Sequence, residues 1–274
     1  MKKRLLLSAV AALGLLTVMA LPLHQAYAQR NTTKAFVAPL VFQAAGPTLE
    51  SIQGTVDEFR AALGDPNNAN APGPLTSGRR EINWDGGGSA TTISETPFAG
   101  FLVIRGALFM TPGTGFVQAP PSGLADTFDN PTYADIFQPF SPLRLFSPIG
   151  SNITEALFFV PGGGNIPATT TGFGAVFTDV DKPDGSGPGK KRGNRGASTL
   201  IEYFGIHGDL LFSSFVPASP GDGSLSFFGI VFDDPRIARV RITSGDIAPG
   251  PDDGGKHDIV VMDDFIFGEP RPVP

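Results

Sequence analysis

Short apolar segments, separated by clusters of Gly, Pro, Asp and Ser, follow one another along most of this chain. Residues 236–243 show the clearest alternation, with Val240 and Ile242 on one side and Arg239 and Arg241 on the other. A period of two is typical of a strand with one face on the core and one in water. The pattern predicts strands at 101–105, 107–111, 115–118, 143–146, 153–160, 172–180, 199–204, 209–216, 224–232, 236–243 and 259–267. So many short strands predict an all-β, jelly-roll-like sandwich of two sheets.

One helix is predicted in the N-terminal part. Thr55 and Glu58 have the spacing of a capping box, in which the side chain of each residue accepts a hydrogen bond from the backbone amide of the other. Gly64 and the following Asp-Pro pair end the segment. So short a helix needs a sheet to pack against. We therefore expect one β-sandwich domain over residues 29–274, with a helix- and loop-rich part at 29–90.

The first 28 residues have the pattern of an export signal. Lys2, Lys3 and Arg4 precede an apolar stretch, and Ala26-Tyr27-Ala28 provides the small residues that signal peptidase recognises. An uncleaved membrane anchor is the alternative, since the apolar stretch is nearly long enough to span a bilayer. Cleavage after residue 28 predicts an exported protein, periplasmic or extracellular, with no transmembrane segment left after cleavage.

Composition narrows the classes of function. The chain has no cysteine, which excludes disulfides, thiolate zinc sites and cysteine nucleophiles. Its formal net charge of −6 argues against a nucleic-acid partner, which requires a basic face. The 23 phenylalanines supply the apolar area that a folded core needs despite the many glycines and prolines.

A calcium site is a candidate at the end of the predicted strand 172–180. Asp179, Asp181 and Asp184 are spaced so that their oxygens can converge on one hard cation. An ordinary Asp/Gly/Pro turn is the alternative, because aspartate commonly caps turns through its own backbone.

The last predicted strand contains adjacent aspartates, Asp263 and Asp264, among apolar residues. Strict alternation would turn one of them toward the core whichever face is buried. A buried carboxylate needs a cation, hydrogen-bond donors or a proton. Calcium, or an arginine such as Arg105 or Arg239, would satisfy it; a bulge that turns the carboxylate to water is the alternative.

Three further residues are candidates for ligand binding or catalysis. Trp84 is the one tryptophan, and it is either a platform for a sugar ring or a core residue. Glu81 and Asp85 flank it, and a pair of carboxylates beside an aromatic ring is compatible with glycoside hydrolysis. Arg79 and Arg80 would also pair with these carboxylates. No serine-hydrolase elbow or zinc-protease motif occurs, so we assign no catalytic residue.

The chain resembles uncharacterised exported bacterial β-sandwich proteins related to the PEP-CTERM type. The resemblance is carried by residues 173–181, 201–204, 237–243 and 260–265, which read FGAVFTDVD, IEYF, IARVRIT and VVMDDF. Such proteins usually end in a Pro-Glu-Pro motif, an apolar helix and a basic tail, and that sorting tail is absent here. The resemblance implies export and a sandwich fold and transfers no catalytic residue.

Together these features predict an exported, non-enzymatic, calcium-stabilised β-sandwich that binds carbohydrate or another surface component. A structural or matrix protein without a small ligand is the first alternative. A secreted glycoside hydrolase that uses Glu81 and Asp85 is the second.

Overall fold

Two antiparallel sheets packed together, with a few short helices, form the fold in a computed structural model that describes residues 38–182, 199–251 and 257–273. The predicted all-β, two-sheet architecture is confirmed. The predicted signal peptide and Asp184 lie outside the described residues. Within the described ranges, no helix is long and apolar enough to cross a membrane.

The secondary-structure elements are numbered in chain order. The helices are α1 (Leu49–Leu63), α2 (Leu102–Arg105), α3 (Pro121–Phe128) and α4 (Tyr133–Ile136), with a 3₁₀ turn at Asp85–Gly87. The strands are β1 (Leu40–Gly46), β2 (Arg79–Ile82), β3 (Thr92–Glu95), β4 (Ala107–Met110), β5 (Gly115–Ala119), β6 (Leu145–Ile149), β7 (Ile153–Phe158), β8 (Ala168–Thr169), β9 (Gly172–Thr178), β10 (Leu200–Phe204), β11 (Leu210–Phe215), β12 (Leu225–Val231), β13 (Arg239–Thr243), β14 (Val261–Gly268) and β15 (Arg271–Pro272).

The larger sheet has eight strands in the order β1-β12-β9-β14-β6-β5-β3, with β2 also paired to β14. The smaller sheet has five, in the order β11-β10-β13-β7-β4, and β15 pairs with β8 in a separate ribbon. All strand pairs within these sheets are antiparallel.

Three layers result from this arrangement. The main core lies between the two sheets and is rich in phenylalanine. Helix α1 buries an apolar stripe on the far side of the eight-stranded sheet, and α3 and α4 cover another part of that side. The strands β9, β12 and β14 of the eight-stranded sheet are therefore buried on both faces, whereas its edge strands β1 and β3 are largely exposed.

Helix α1 approaches the sheet closely because two glycines face it. Gly174 on β9 and Gly229 on β12 are directly opposite each other, and the Phe59 ring lies over both. A Cβ atom at either glycine would come within 2.8 Å of that ring. The missing side chains thus make the space that Phe59 fills.

The helix begins earlier than its sequence predicted. Its N-cap is Thr48, whose side chain and that of Ser51 form the capping box. Thr55 and Glu58 lie within the helix instead. The buried residues Ile52, Val56, Phe59 and Leu63 make an apolar stripe that already starts one turn before the predicted cap, and burial of that stripe extends the helix.

Two other predictions need correction. Residues 101–105 form the single helical turn α2 in place of a strand, and α2 ends at Gly106 in the left-handed conformation. The part at 29–90 contains strands β1 and β2 in addition to the helix, because both pair with strands of the eight-stranded sheet. The alternation in β13 is confirmed: Val240 and Ile242 are buried, and the arginines between them are not.

Candidate functional site

A β-bulge in the last strand contains both aspartates and brings both carboxylates to Ser141. Met262 pairs with Phe177 and Phe265 pairs with Ala175, so Asp263 and Asp264 together oppose one residue of β9. The strict alternation that we predicted for this strand is therefore wrong at the bulge. Both side chains are buried; the relative exposure of Asp263 is 0% and that of Asp264 is 3%.

Protein donors satisfy these two carboxylates. Asp263 accepts hydrogen bonds from the backbone amides of Phe140 and Ser141, at 2.6 and 3.1 Å. The Ser141 hydroxyl donates to Asp264 at 2.7 Å, and the Arg60 guanidinium reaches the other oxygen of Asp264 at 3.3 Å. The requirement for a partner therefore holds, and an arginine and backbone amides supply it.

The partner arginine differs from those suggested by the sequence. Arg105 donates to Asn70, and Arg239 pairs with Glu155 on the other sheet. Arg60 reaches the bulge from helix α1, which packs on the far side of the eight-stranded sheet. The contact between Arg60 and Asp264 could not be predicted from the sequence, because the pattern of α1 does not indicate which strand lies under its last turn.

Burial controls the protonation of the aspartate pair. It raises the pKa of Asp263 well above the ordinary value, and the neighbouring charge of Asp264 raises it further. Burial also raises the pKa of Asp264, but less, because Ser141 and Arg60 stabilise its charged form. The guanidinium of Arg60 thus favours the charged form of Asp264.

Trp84 is a core residue. Its side chain is 1% exposed, and its ring stacks on that of Phe146 with a centroid separation of 3.8 Å. Its indole N–H donates to the backbone oxygen of Asp263 at 2.9 Å, which ties the bulge to the core. Neither ring face is open to a sugar, so the structure supports the core-packing alternative for this residue.

Glu81 and Asp85 are held by fixed donors. Glu81 accepts from Arg60 at 3.0 Å and from Arg79 at 2.7 Å. Asp85 accepts from the backbone amides of Leu143 and Arg144, at 2.6 and 2.9 Å. Carboxylates that cap a turn and bridge two arginines act as structural groups.

The other predicted calcium ligands that the structure describes, Asp179 and Asp181, follow directly after strand β9. Asp179 follows β9 in the left-handed conformation and is buried, and Asp181 accepts from the Gly221 amide at 2.8 Å. Asp258, which the sequence did not single out, accepts from the amides of Asp181 and Lys182 at 3.1 and 3.4 Å. Burial raises the pKa of Asp258 to about 6.

The predicted calcium ligands thus have two separate sets of partners. Asp263 and Asp264 contact Ser141, while Asp181 contacts Gly221 and approaches Asp258. Across 38–182, 199–251 and 257–273, no three His, Asp or Glu side chains converge as a metal site would require. Asp184, the third predicted ligand, lies outside those ranges.

The outer side of the five-stranded sheet is an accessible surface that no helix of the described residues covers, and we call it the open face. Along each strand of this sheet, residues alternate between the outer side and the core. The cross-strand partners of an outward-pointing residue also point outward, so these residues form rows across the sheet. None of its side chains is buried. The open face consists of Phe215, Leu200, Thr243 and Ile153 in one row, Ser213, Glu202, Arg241, Glu155 and Met110 in the next, and Leu210, Phe204, Arg239, Leu157 and Leu108 in the third.

The open face combines charge with apolar area. In the middle row Arg241 lies between Glu202 and Glu155, and its Nε donates to Glu155 at 2.8 Å. In the third row the Arg239 guanidinium stacks over the Phe204 ring at 4.1 Å from its centroid. The face therefore offers fixed donors and acceptors between two rows that carry phenylalanines.

Sequence reasoning did not single out the open face as a site. Its signal was present in the alternation of β13, where Arg239 and Arg241 were predicted to point outward. What the sequence lacked was the order of the strands, which brings Glu155 and Glu202 to either side of those arginines.

Comparison of the chain with protein-family models, with curated proteins and with solved structures finds no match.

Proposed function

We propose that the protein is an exported, non-enzymatic β-sandwich that binds a carbohydrate or another surface component through the open face. The observation that supports this most is the contrast between the two sheets. The central strands of the eight-stranded sheet are buried on both sides, whereas the five-stranded sheet leaves accessible a middle row in which three of five residues are charged, with a partly apolar row on either side of it.

The chemistry of the face suits a sugar. Arg241, Glu155 and Glu202 can exchange hydrogen bonds with hydroxyl groups, and the Phe215 ring offers apolar surface for the apolar side of a sugar. This places the ligand away from Trp84, which is buried. Export rests on the leader-like residues 1–28 and on the resemblance described above.

A glycan array tests this proposal. We expect a glycan signal with the wild-type protein that falls about tenfold or more in Arg241→Ala, because a charge-assisted hydrogen bond is lost. Arg236→Ala is the matched control, since Arg236 is also a surface arginine paired to carboxylates but lies outside the open face. An array without any signal, or equal signals from both variants, would contradict the proposal.

A structural or matrix role is the second candidate, and strand β11 favours it. Among the described residues β11 is an edge strand that pairs only with β10, and it contains no charged residue and no proline. Such an edge is a template for pairing with another chain. Light scattering would show growth in mass with concentration, reversed by Ser213→Lys, if this role is correct.

The glycoside-hydrolase alternative makes a separate prediction. If Glu81 and Asp85 were catalytic, turnover of a polysaccharide panel would be lost in Glu81→Gln. We expect no turnover in the wild-type protein, because both carboxylates are occupied by arginines or backbone amides.

Calcium stabilisation and the jelly-roll-like topology also stay proposals. A calcium ion that binds the folded state raises the melting temperature by linkage. We expect such a rise in millimolar calcium and its reversal by a chelator, and we expect Asp181→Asn to reduce it. An unchanged melting curve would contradict calcium binding.

A further inference from the structure

A cleft of about 640 Å³ opens at one end of the open face. It lies between the turn that joins β10 to β11 and the segment that leads into β8. Its lining is mostly apolar and includes Leu157, Phe159, Ile166, Ile206 and Val273; Arg239 is the charged residue among the described lining residues. This volume falls within the range of about 300–1,000 Å³ that is typical of small-molecule sites.

Two isoleucines make this cleft unlike an ordinary gap between loops. Ile206 is 48% exposed and Ile166 is 49% exposed, and both lie in glycine-containing connections where polar residues are the rule. Each leaves apolar surface in water beside the other apolar lining residues. A contiguous apolar patch of this kind gains free energy when a ligand covers it.

Arg239 determines the charge of the ligand. Its Nη1 pairs with Oε1 of Glu155, and the same carboxylate oxygen also accepts from Arg241 at 2.8 Å. A guanidinium carries five N–H donors, and among the described residues the hydrogen bond of Arg239 to Glu155 uses Nη1, which leaves donors for a second carboxylate. The guanidinium lies over the Phe204 ring, 4.1 Å from its centroid, and this contact helps to position it.

We propose that this cleft binds an amphipathic carboxylate, with the hydrocarbon part between Ile166 and Ile206 and the carboxylate on Arg239. The proposal assigns a site and a ligand class beyond the carbohydrate binding described above and does not depend on it. Carboxylates with a single alkyl chain are the simplest members of this class.

Calorimetric titration of the full chain with sodium octanoate and 1-octanol tests the proposal. We expect octanoate to bind about tenfold more tightly than octanol, which has the same chain length but no charge. Arg239→Gln should remove this difference and leave octanol binding unchanged. Arg236→Gln is the control and should leave the difference intact, because Arg236 is also a surface arginine paired to carboxylates but is not among the lining residues of the cleft.

The apolar part is tested separately. Ile206→Asp should weaken both ligands by about tenfold or more, because it places a charge where the chain would lie. Ile93→Asp is the matched control, since Ile93 is 63% exposed on β3 and does not line the cleft. Ile166→Asp provides a second test if Ile206→Asp alters the melting temperature.

Three results would overturn the proposal: no octanoate binding at millimolar concentration, equal affinity for octanoate and octanol, or octanoate binding unaffected by both isoleucine variants. A glycan signal lost only in Arg241→Ala, without octanoate binding, would leave the proposed function standing and reject this inference.

Discussion

Arg60 is the cation that meets the buried carboxylates, and its removal should destabilise the protein strongly. We consider Arg60→Met, which keeps most of the apolar stem and removes the charge. Arg60 is 20% exposed, whereas its partners Glu81 and Asp264 are 13% and 4% exposed. The substitution leaves both carboxylates in a poorly solvated position without this guanidinium.

The expected loss follows from that burial. Breaking a fully buried ion pair costs about 3–5 kcal/mol, and Glu81 keeps its second partner Arg79, so we expect about 2–3 kcal/mol here. Arg236→Met is a matched control: Arg236 is 22% exposed, close to Arg60, but its partners Asp233 and Asp234 are 65% and 40% exposed. The control should cost less than about 1 kcal/mol.

Equilibrium urea unfolding measures both free energies. Because loss of the guanidinium raises the pKa of Asp264 further, the deficit of Arg60→Met should be smaller at pH 5 than at pH 8, where the unpaired carboxylate is charged. Adding Asp264→Asn to Arg60→Met should recover about 1 kcal/mol. Equal losses in Arg60→Met and Arg236→Met would refute the role of partner burial.

Three further predictions concern other buried contacts. Burial raises the folded-state pKa of Asp258 from 3.8 to about 6, so between these values the folded protein holds a proton that the unfolded chain has lost. Stability therefore falls as the pH rises through this range and levels off above it. The unfolding free energy should be about 1 kcal/mol higher at pH 5.5 than at pH 7.5, and Asp258→Asn should remove this difference. Gly229→Ala should lower the unfolding free energy in urea by about 1–3 kcal/mol, because its Cβ would meet the Phe59 ring. Glu269→Gln should lower the unfolding free energy in urea, because Arg80 is 0% exposed and loses the carboxylate that two of its nitrogens contact. A loss of less than about 1 kcal/mol would contradict this expectation.

The strands that the sequence predicted best are those with a strong local pattern. β12 was found within a few residues as a mostly apolar run, all of which is buried, and β13 was found because buried and part-exposed residues alternate along it. β1 and β2 were missed because their pairing with β12 and β14 stabilises them more than their own residues indicate. Such non-local pairing is not contained in a short window of sequence.

The aspartates of the last strand illustrate the same limit for the candidate site. Their need for partners followed from elementary electrostatics and the apolar residues around them. Their actual partners, Arg60 and the Ser141 hydroxyl, lie 204 and 123 residues away along the chain. The bulge that turns both carboxylates to Ser141, and Asp264 to Arg60, depends on the register with β9, which only the folded sheet defines.

Hydrogen exchange measured with and without the glycan that gives the strongest array signal tests the central claim most directly. If the open face binds the ligand, amide protection should increase in β7, β10 and β13 and stay unchanged in β2 and the turn at Asp85–Gly87. Protection confined to β2 and that turn, together with cleavage of the glycan, would contradict a non-enzymatic binding face.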